Sequence, residues 1–125
     1  ALMCADSQGN KMVDHITIRK AAGTWTVRAG GAVLGESSDA LELVEGDYPP
    51  VIYFPRADIA MAFLDESDKT SHCPHKGDAR YFNVVTKSRT LENVVWSYEA
   101  PKAAAEKVRD YLAFHNVEEV AVEQI

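Results

Sequence analysis

Cysteine is scarce in this chain of 125 residues, which has two, Cys4 and Cys73. Two thiols so far apart make no disulfide framework, and Cys4 falls in a stretch without periodicity. The cysteine usage therefore favours a reducing, cytoplasmic setting over a stapled secreted scaffold. Long apolar runs are missing too. The uninterrupted ones are a handful of residues, well short of the ~20 that span a bilayer, and the opening Ala1-Leu2-Met3-Cys4-Ala5-Asp6-Ser7 has neither the basic region nor the apolar stretch of a secretion signal. No basic amphipathic stripe points to a membrane surface. Basic charge is the third shortage. Thirteen Lys and Arg stand against nineteen Asp and Glu, a formal charge of −6. The basic residues are scattered, which excludes the concentrated cationic footprint that nucleic acid requires.

What is present suits one soluble domain. Hydrophobic residues make up 46 % and charged residues 26 %, and at roughly 100 to 200 residues per domain there is chain for one core and hardly for two. A domain of this length removes about two-thirds of its unfolded surface from water, so stability alone asks for neither metal nor cross-link. Residues 1–11, with Gly9 and Asn10 and no periodicity, read as a mobile leader or an added tail. Residues 12–125 read as a single domain, with Met12 a natural start.

Alternation of apolar and polar residues predicts strands over 15–20, 24–29, 32–36, 41–45 and 51–54, with Gly23 and Gly30-Gly31 at the reversals. Residues 57–64 change period, Ile59 and Phe63 sharing a helical face, and predict a short helix; 65–69 read as a charged turn and 70–78 as a shaped loop. Two aromatic and Val-rich strands follow at 80–86 and 91–99. Closure around Arg89 and Thr90 would set Tyr81 opposite Tyr98 and Asn83 opposite Trp96. Pro101 suits a first helical turn, 102–110 can be helical, and 111–114 and 119–123 return to extended patterns. Many short strands against two short helices predict a mainly β fold, antiparallel with small helical additions.

Three stretches concentrate polar and aromatic chemistry. They are Tyr53-Phe54-Pro55-Arg56-Ala57-Asp58, then Thr70-Ser71-His72-Cys73-Pro74-His75-Lys76-Gly77-Asp78-Ala79-Arg80-Tyr81, and Val95-Trp96-Ser97-Tyr98-Glu99-Ala100-Pro101. With Gly31-Ala32-Val33-Leu34 and Leu112-Ala113-Phe114, they resemble the family of domain of unknown function 427, over roughly Met12 to Glu123. The resemblance implies a β-tent, two twisted antiparallel sheets with a pocket between them, and no established activity. That family has also carried a nucleotidyltransferase label, but no Gly-rich phosphate loop leading into a helix and no carboxylates at metal-binding spacing support it here.

Each residue type carries a functional and a bland reading. His72, Cys73 and His75 are zinc-ligand types, yet the paired C-x-x-C knuckles of other β-tent proteins are absent and a fourth ligand would be distant, so no metal or cofactor is expected. Cys73 with His75 beside it could act as a nucleophile, or Cys73 could be a buried small hydrophobe next to Pro74. Arg56 and Lys76 could hold a carboxylate or phosphate at a pocket rim, or pair internally, Arg56 with Asp58 or Glu99 and Lys76 with Asp78. Tyr53, Tyr81, Trp96 and Tyr98 could wall a pocket for a flat ligand, or fill the core. Ile59, Phe63, Val84, Val94, Phe114 and Trp25 read as core. The functional expectation is a small, anionic ligand bound between the sheets by Tyr53, Arg56, Lys76, Tyr81, Trp96 and Tyr98. A Cys73-dependent thiol or transferase-type enzyme and a structural or protein-interaction module stand as alternatives, and self-association is left open.

Overall fold

The computed structural model describes residues 16–125; the expected leader lies outside them. Among the described residues, ten strands form two antiparallel sheets. They are β1 (Ile16–Lys20), β2 (Trp25–Ala29), β3 (Ala32–Ser37), β4 (Leu41–Glu45), β5 (Val51–Phe54), β6 (Leu64–Cys73), β7 (Gly77–Val85), β8 (Thr90–Ser97), β9 (Leu112–Phe114) and β10 (Val120–Gln124). The larger sheet runs β1-β4-β5-β9-β8-β7-β6 and the smaller β10-β2-β3, so the mainly β expectation holds. The alternation of the strands makes the large sheet two-faced. Phe54, Phe82, Val84, Val95, Leu112 and Phe114 pack with Val27, Leu34 and Val120 of the small sheet. Leu43, Tyr53, Ala79, Tyr81, Trp96, Tyr98 and Ala113 form a second cluster, closed by Ala105 and Val108.

The helices are the first correction. Residues 57–64 form two 3₁₀ turns, Arg56–Asp58 and Met61–Phe63, with Ile59 extended between them. The helical spacing of Ile59 and Phe63 is overruled because the Ala60 amide donates to Leu34 O at 2.7 Å and Gly35 bridges Ile59, tying this segment to β3. Residues 102–110 likewise give only the 3₁₀ turn Ala103–Val108, which bends at Ala105. The expected turn and loop over 65–78 are mostly β6, a strand of ten residues. Its sequence, LDESDKTSHC, has no apolar alternation because β6 is an edge strand, held by pairing with β7 rather than by burial. Charge on such an edge also discourages pairing with another chain.

The β7–β8 hairpin forms with Tyr81 opposite Trp96, not Tyr98. The offset is two residues, so every side chain keeps its expected face. It arises because the turn closes with Val85 opposite Thr90, after which three residues of β8, Glu92 to Val94, stand against Asn83 alone. Asn93 makes that bulge at φ 59, its amide donating to Asn83 Oδ1 at 2.9 Å. A matching irregularity in β6 between Glu66 and Thr70 lies beside it, and Ser67 Oγ bonds Asn93 Oδ1 across the two. A two-residue bulge has no signature in apolar spacing.

Gly35 of β3 packs closely against the segment that follows β5. A Cβ there would lie 2.4 Å from Asp58 O and 2.7 Å from Ile59 Cδ1. Gly35→Ala should therefore cost about 1–3 kcal/mol by forced displacement, measured as a lower urea midpoint with an unchanged slope; an unchanged midpoint would mean that the approach is not needed for folding.

Candidate functional site

One row crosses four strands of the large sheet: Tyr53 opposite Ala113, Ala113 opposite Trp96, Trp96 opposite Tyr81. Ala113 carries a single methyl, so Tyr53 and Trp96 meet over it. Their rings stand at 90° with centroids 6.3 Å apart, and Trp96 Nε1 donates to Tyr53 Oη at 3.2 Å. Tyr81 Oη shares a hydrogen bond of 3.0 Å with Ser71 Oγ. Tyr98, two residues beyond Trp96 on the same face, is fully buried, and its hydroxyl has no hydrogen-bond partner.

The same face carries an ion pair. Glu45 follows Leu43 by two residues, and its carboxylate meets Lys76 Nζ with side chains 4 % and 2 % exposed. Two charges buried this far lose most of their hydration, and their pairing offsets part of that cost. The partner is Glu45 rather than Asp78, which binds His72 Nδ1 at 2.7 Å on the surface. Burial first, and then Glu45 and Tyr81 nearby, push Tyr53 far above the ordinary tyrosine range, against the opposing effect of the Trp96 hydrogen bond. Tyr98 is displaced the same way, by burial and then by Tyr53, Tyr81 and Glu45. Both phenols stay neutral.

Arg56 is elsewhere. Its guanidinium lies 5.5 Å over the Phe82 ring, on the face turned to the small sheet. It donates to Asp110 O at 2.6 Å, to Ser97 Oγ at 3.1 Å and to Glu99 Oε2 at 2.7 Å. Arg56 and Lys76 therefore approach the large sheet from opposite sides, each against a carboxylate, and do not converge on one anion site. Sequence could not place them, because neither residue lies inside a strand whose alternation assigns a face.

Cys73 is buried and disulfide-bonded. This overturns the expectation of a free thiol, and the cysteine count no longer argues for a reducing compartment. Which sulfurs meet is decided by Cα and Cβ geometry, which composition does not contain. No attacking thiolate is available in this state. His75 Nε2 is buried without a hydrogen-bond partner. Among the described residues no group of three His, Cys, Asp or Glu is placed to hold a metal ion, and no helix is long and apolar enough to cross a membrane.

A cavity of about 600 Å³ is lined by residues of both sheets. Its position follows from the shortness of β9, which pairs with β5 only through Ala113 and Leu112. The chain then leaves β5 but still follows β8, Phe114 opposite Val95 and the His115 amide donating to Val94 O at 2.8 Å. Val51, Ile52, Trp96 and Phe114 of the large sheet, with His115 just beyond β9, line the cavity together with Trp25 and Val122 of the small sheet. Of the sequence-selected residues, Trp96 alone is on this wall; Trp25 and Phe114 had read as core, and His115 carried no signal beyond following an apolar run. The His115 ring stacks on Tyr81 at 13° with centroids 6.1 Å apart and touches Trp96 at 4.6 Å. Burial, and then the positive charge of Lys69, lower its proton affinity.

Comparison with known families gives one match. A family model described as a domain of unknown function, DUF427, covers residues 17–124. No curated protein matches the chain.

Two outcomes follow from these electrostatics. Lys76→Met or Glu45→Gln alone should destabilise the fold by roughly 3–5 kcal/mol, by leaving one buried charge or carboxamide without its counterpart, while Lys76→Met with Glu45→Leu should recover most of the loss. Urea unfolding of the three variants checks this, and a double variant no better than the singles would refute it. The depressed proton affinity of His115 means that the unfolded chain binds a proton the native state does not. The stability this group contributes is present above the ordinary value of 6.5 and is lost as pH falls below it. His115→Gln should flatten that part of the acid limb.

Proposed function

The chain belongs to the domain of unknown function 427 family, which brings no activity with it, and we propose from its geometry that it binds a compact, planar, largely apolar small molecule in the cavity between the two sheets. The observation that carries this reading is the cavity itself. Its volume of about 600 Å³ falls within the roughly 300–1,000 Å³ of small-molecule sites. Both tryptophans of the chain, Trp25 and Trp96, stand on its wall. Flat indole faces favour stacked or edge-on rings, and His115 and Asn116 supply hydrogen-bonding groups at the edge.

The anionic ligand expected from Arg56 and Lys76 loses its support, since each cation faces a carboxylate of the chain itself. The one carboxylate on the wall, Glu42, faces Arg19 at 2.8 Å. An uncharged ring compound fits these walls better than a phosphate, because the described lining residues include no lysine or arginine to offset its charge. The thiol-enzyme alternative lacks its nucleophile while Cys73 is in a disulfide.

Because both tryptophans line the site, intrinsic fluorescence reports occupancy directly. Titration with indole, benzamide and benzoate should quench or shift the emission with the two neutral rings ahead of benzoate, and Trp96→Leu should weaken binding about tenfold while Trp25 still reports. Emission insensitive to all three, with no adduct in native mass spectra of the purified chain, would overturn the reading; benzoate binding best would restore the anionic ligand.

A further inference from the structure

The outer face of the large sheet holds an arrangement that packing does not account for. Apolar cores are cheapest when dry and aliphatic, yet here a fully buried phenol, Tyr98, keeps its hydroxyl without a partner next to a buried Lys76–Glu45 pair and the hydroxyls of Tyr53 and Tyr81. A buried hydroxyl without a hydrogen bond is a standing cost that phenylalanine would avoid. A second such atom, His75 Nε2, lies in the segment that delivers Lys76. That segment is zipped to the residues after Tyr98: the Lys102 amide donates to Lys76 O, and Lys102 Nζ to Pro74 O, both at 2.9 Å. Alanine at 79, 105 and 113 keeps the surroundings of the phenols low in bulk.

We propose that this buried polar layer is a second binding site, in which the Tyr98 hydroxyl donates to the oxygen of a small uncharged carbonyl or amide compound. The charge balance selects an uncharged guest. Lys76 already faces Glu45, so an anion would bring a second negative charge beside that carboxylate, and a cation would meet the ammonium. Burial and the neighbouring groups hold Tyr98 in its neutral form, so its proton is present to be donated. Tyr53 and Tyr81 differ from it, since their hydroxyls are engaged by Trp96 and Ser71. The proposal is independent of the interlayer cavity, on whose wall Tyr98 does not stand.

Two measurements on the full chain test it. In the absence of added compounds, Tyr98→Phe should raise Tm by a few degrees, because it removes an unsatisfied buried hydroxyl. Tyr53→Phe, which takes the acceptor from the Trp96 indole, should lower it. A fall in Tm for Tyr98→Phe would show the hydroxyl to be satisfied in the native state by internal water, and would overturn the proposal. Second, in wild-type protein carrying ¹³Cζ-labelled tyrosine, acetamide should move the Tyr98 resonance saturably while acetate leaves it in place, and Tyr98→Phe should abolish saturable acetamide binding. If acetamide leaves the resonance unmoved, or acetate moves it equally, the site does not take an uncharged oxygen acceptor. Because the labelled experiment uses the wild-type chain, it decides the matter even if a variant folds poorly.

Discussion

Three residues, Leu112–Phe114, make the large sheet one sheet. Strands β1, β4 and β5 end by Phe54 and β6, β7 and β8 begin at Leu64, and among the described residues the only strand between β5 and β8 in the sheet is β9. Every residue of β9 is buried, as a central strand covered on both sides must be. Its alternation serves both clusters at once: Leu112 and Phe114 enter the core against the small sheet, while Ala113 makes room for Tyr53 and Trp96 on the other side. Its brevity matters as much as its position. A longer β9 would continue along β5, fill the gap beside Val51 and Ile52, and close the interlayer cavity.

This seam also explains why the polar chemistry separates into two places. The face toward the small sheet is aromatic and aliphatic where it opens, with Arg56 at its margin held by Glu99, Ser97 and Asp110. The opposite face buries a lysine, a glutamate and three tyrosines under the 103–108 turn. Trp96 connects them, since it lines the cavity and donates to Tyr53, and His115 leans on both Trp96 and Tyr81. A change at this junction is felt on both sides, because interiors packed to near-crystal density pass displacement on rather than absorb it.

Much of this was legible in the residues. The strands over 16–54 and the β7–β8 hairpin announce themselves by alternation, and the faces of Tyr81, Trp96 and Tyr98 follow from parity alone, so a register two residues out still put them together. Ordered motifs from 31 to 114 point to the family that the match over 17–124 shows. The errors have a common cause. The 57–64 helix and the 65–78 loop were read from local apolar spacing, whereas Leu34 and Gly35 tie the first segment to β3 and β7 pairs with the second. Backbone pairing between distant strands leaves no periodic mark on an exposed edge such as β6.

By itself, then, the sequence determined which residues are apolar at period two, where the backbone can reverse, and which unusual polar and aromatic groups the chain must house somewhere. Those are properties of neighbouring residues, written in the order of side chains. Tertiary structure alone decided that Lys76 meets Glu45 rather than Asp78, that Arg56 approaches the sheet from the other side, that Cys73 is oxidised, and that Trp25 joins Trp96 across a cavity. Each of these depends on contacts between residues tens of positions apart. Such contacts are chosen by the pairing of whole strands and the closure of the core, and charge and size at any one position leave them undetermined.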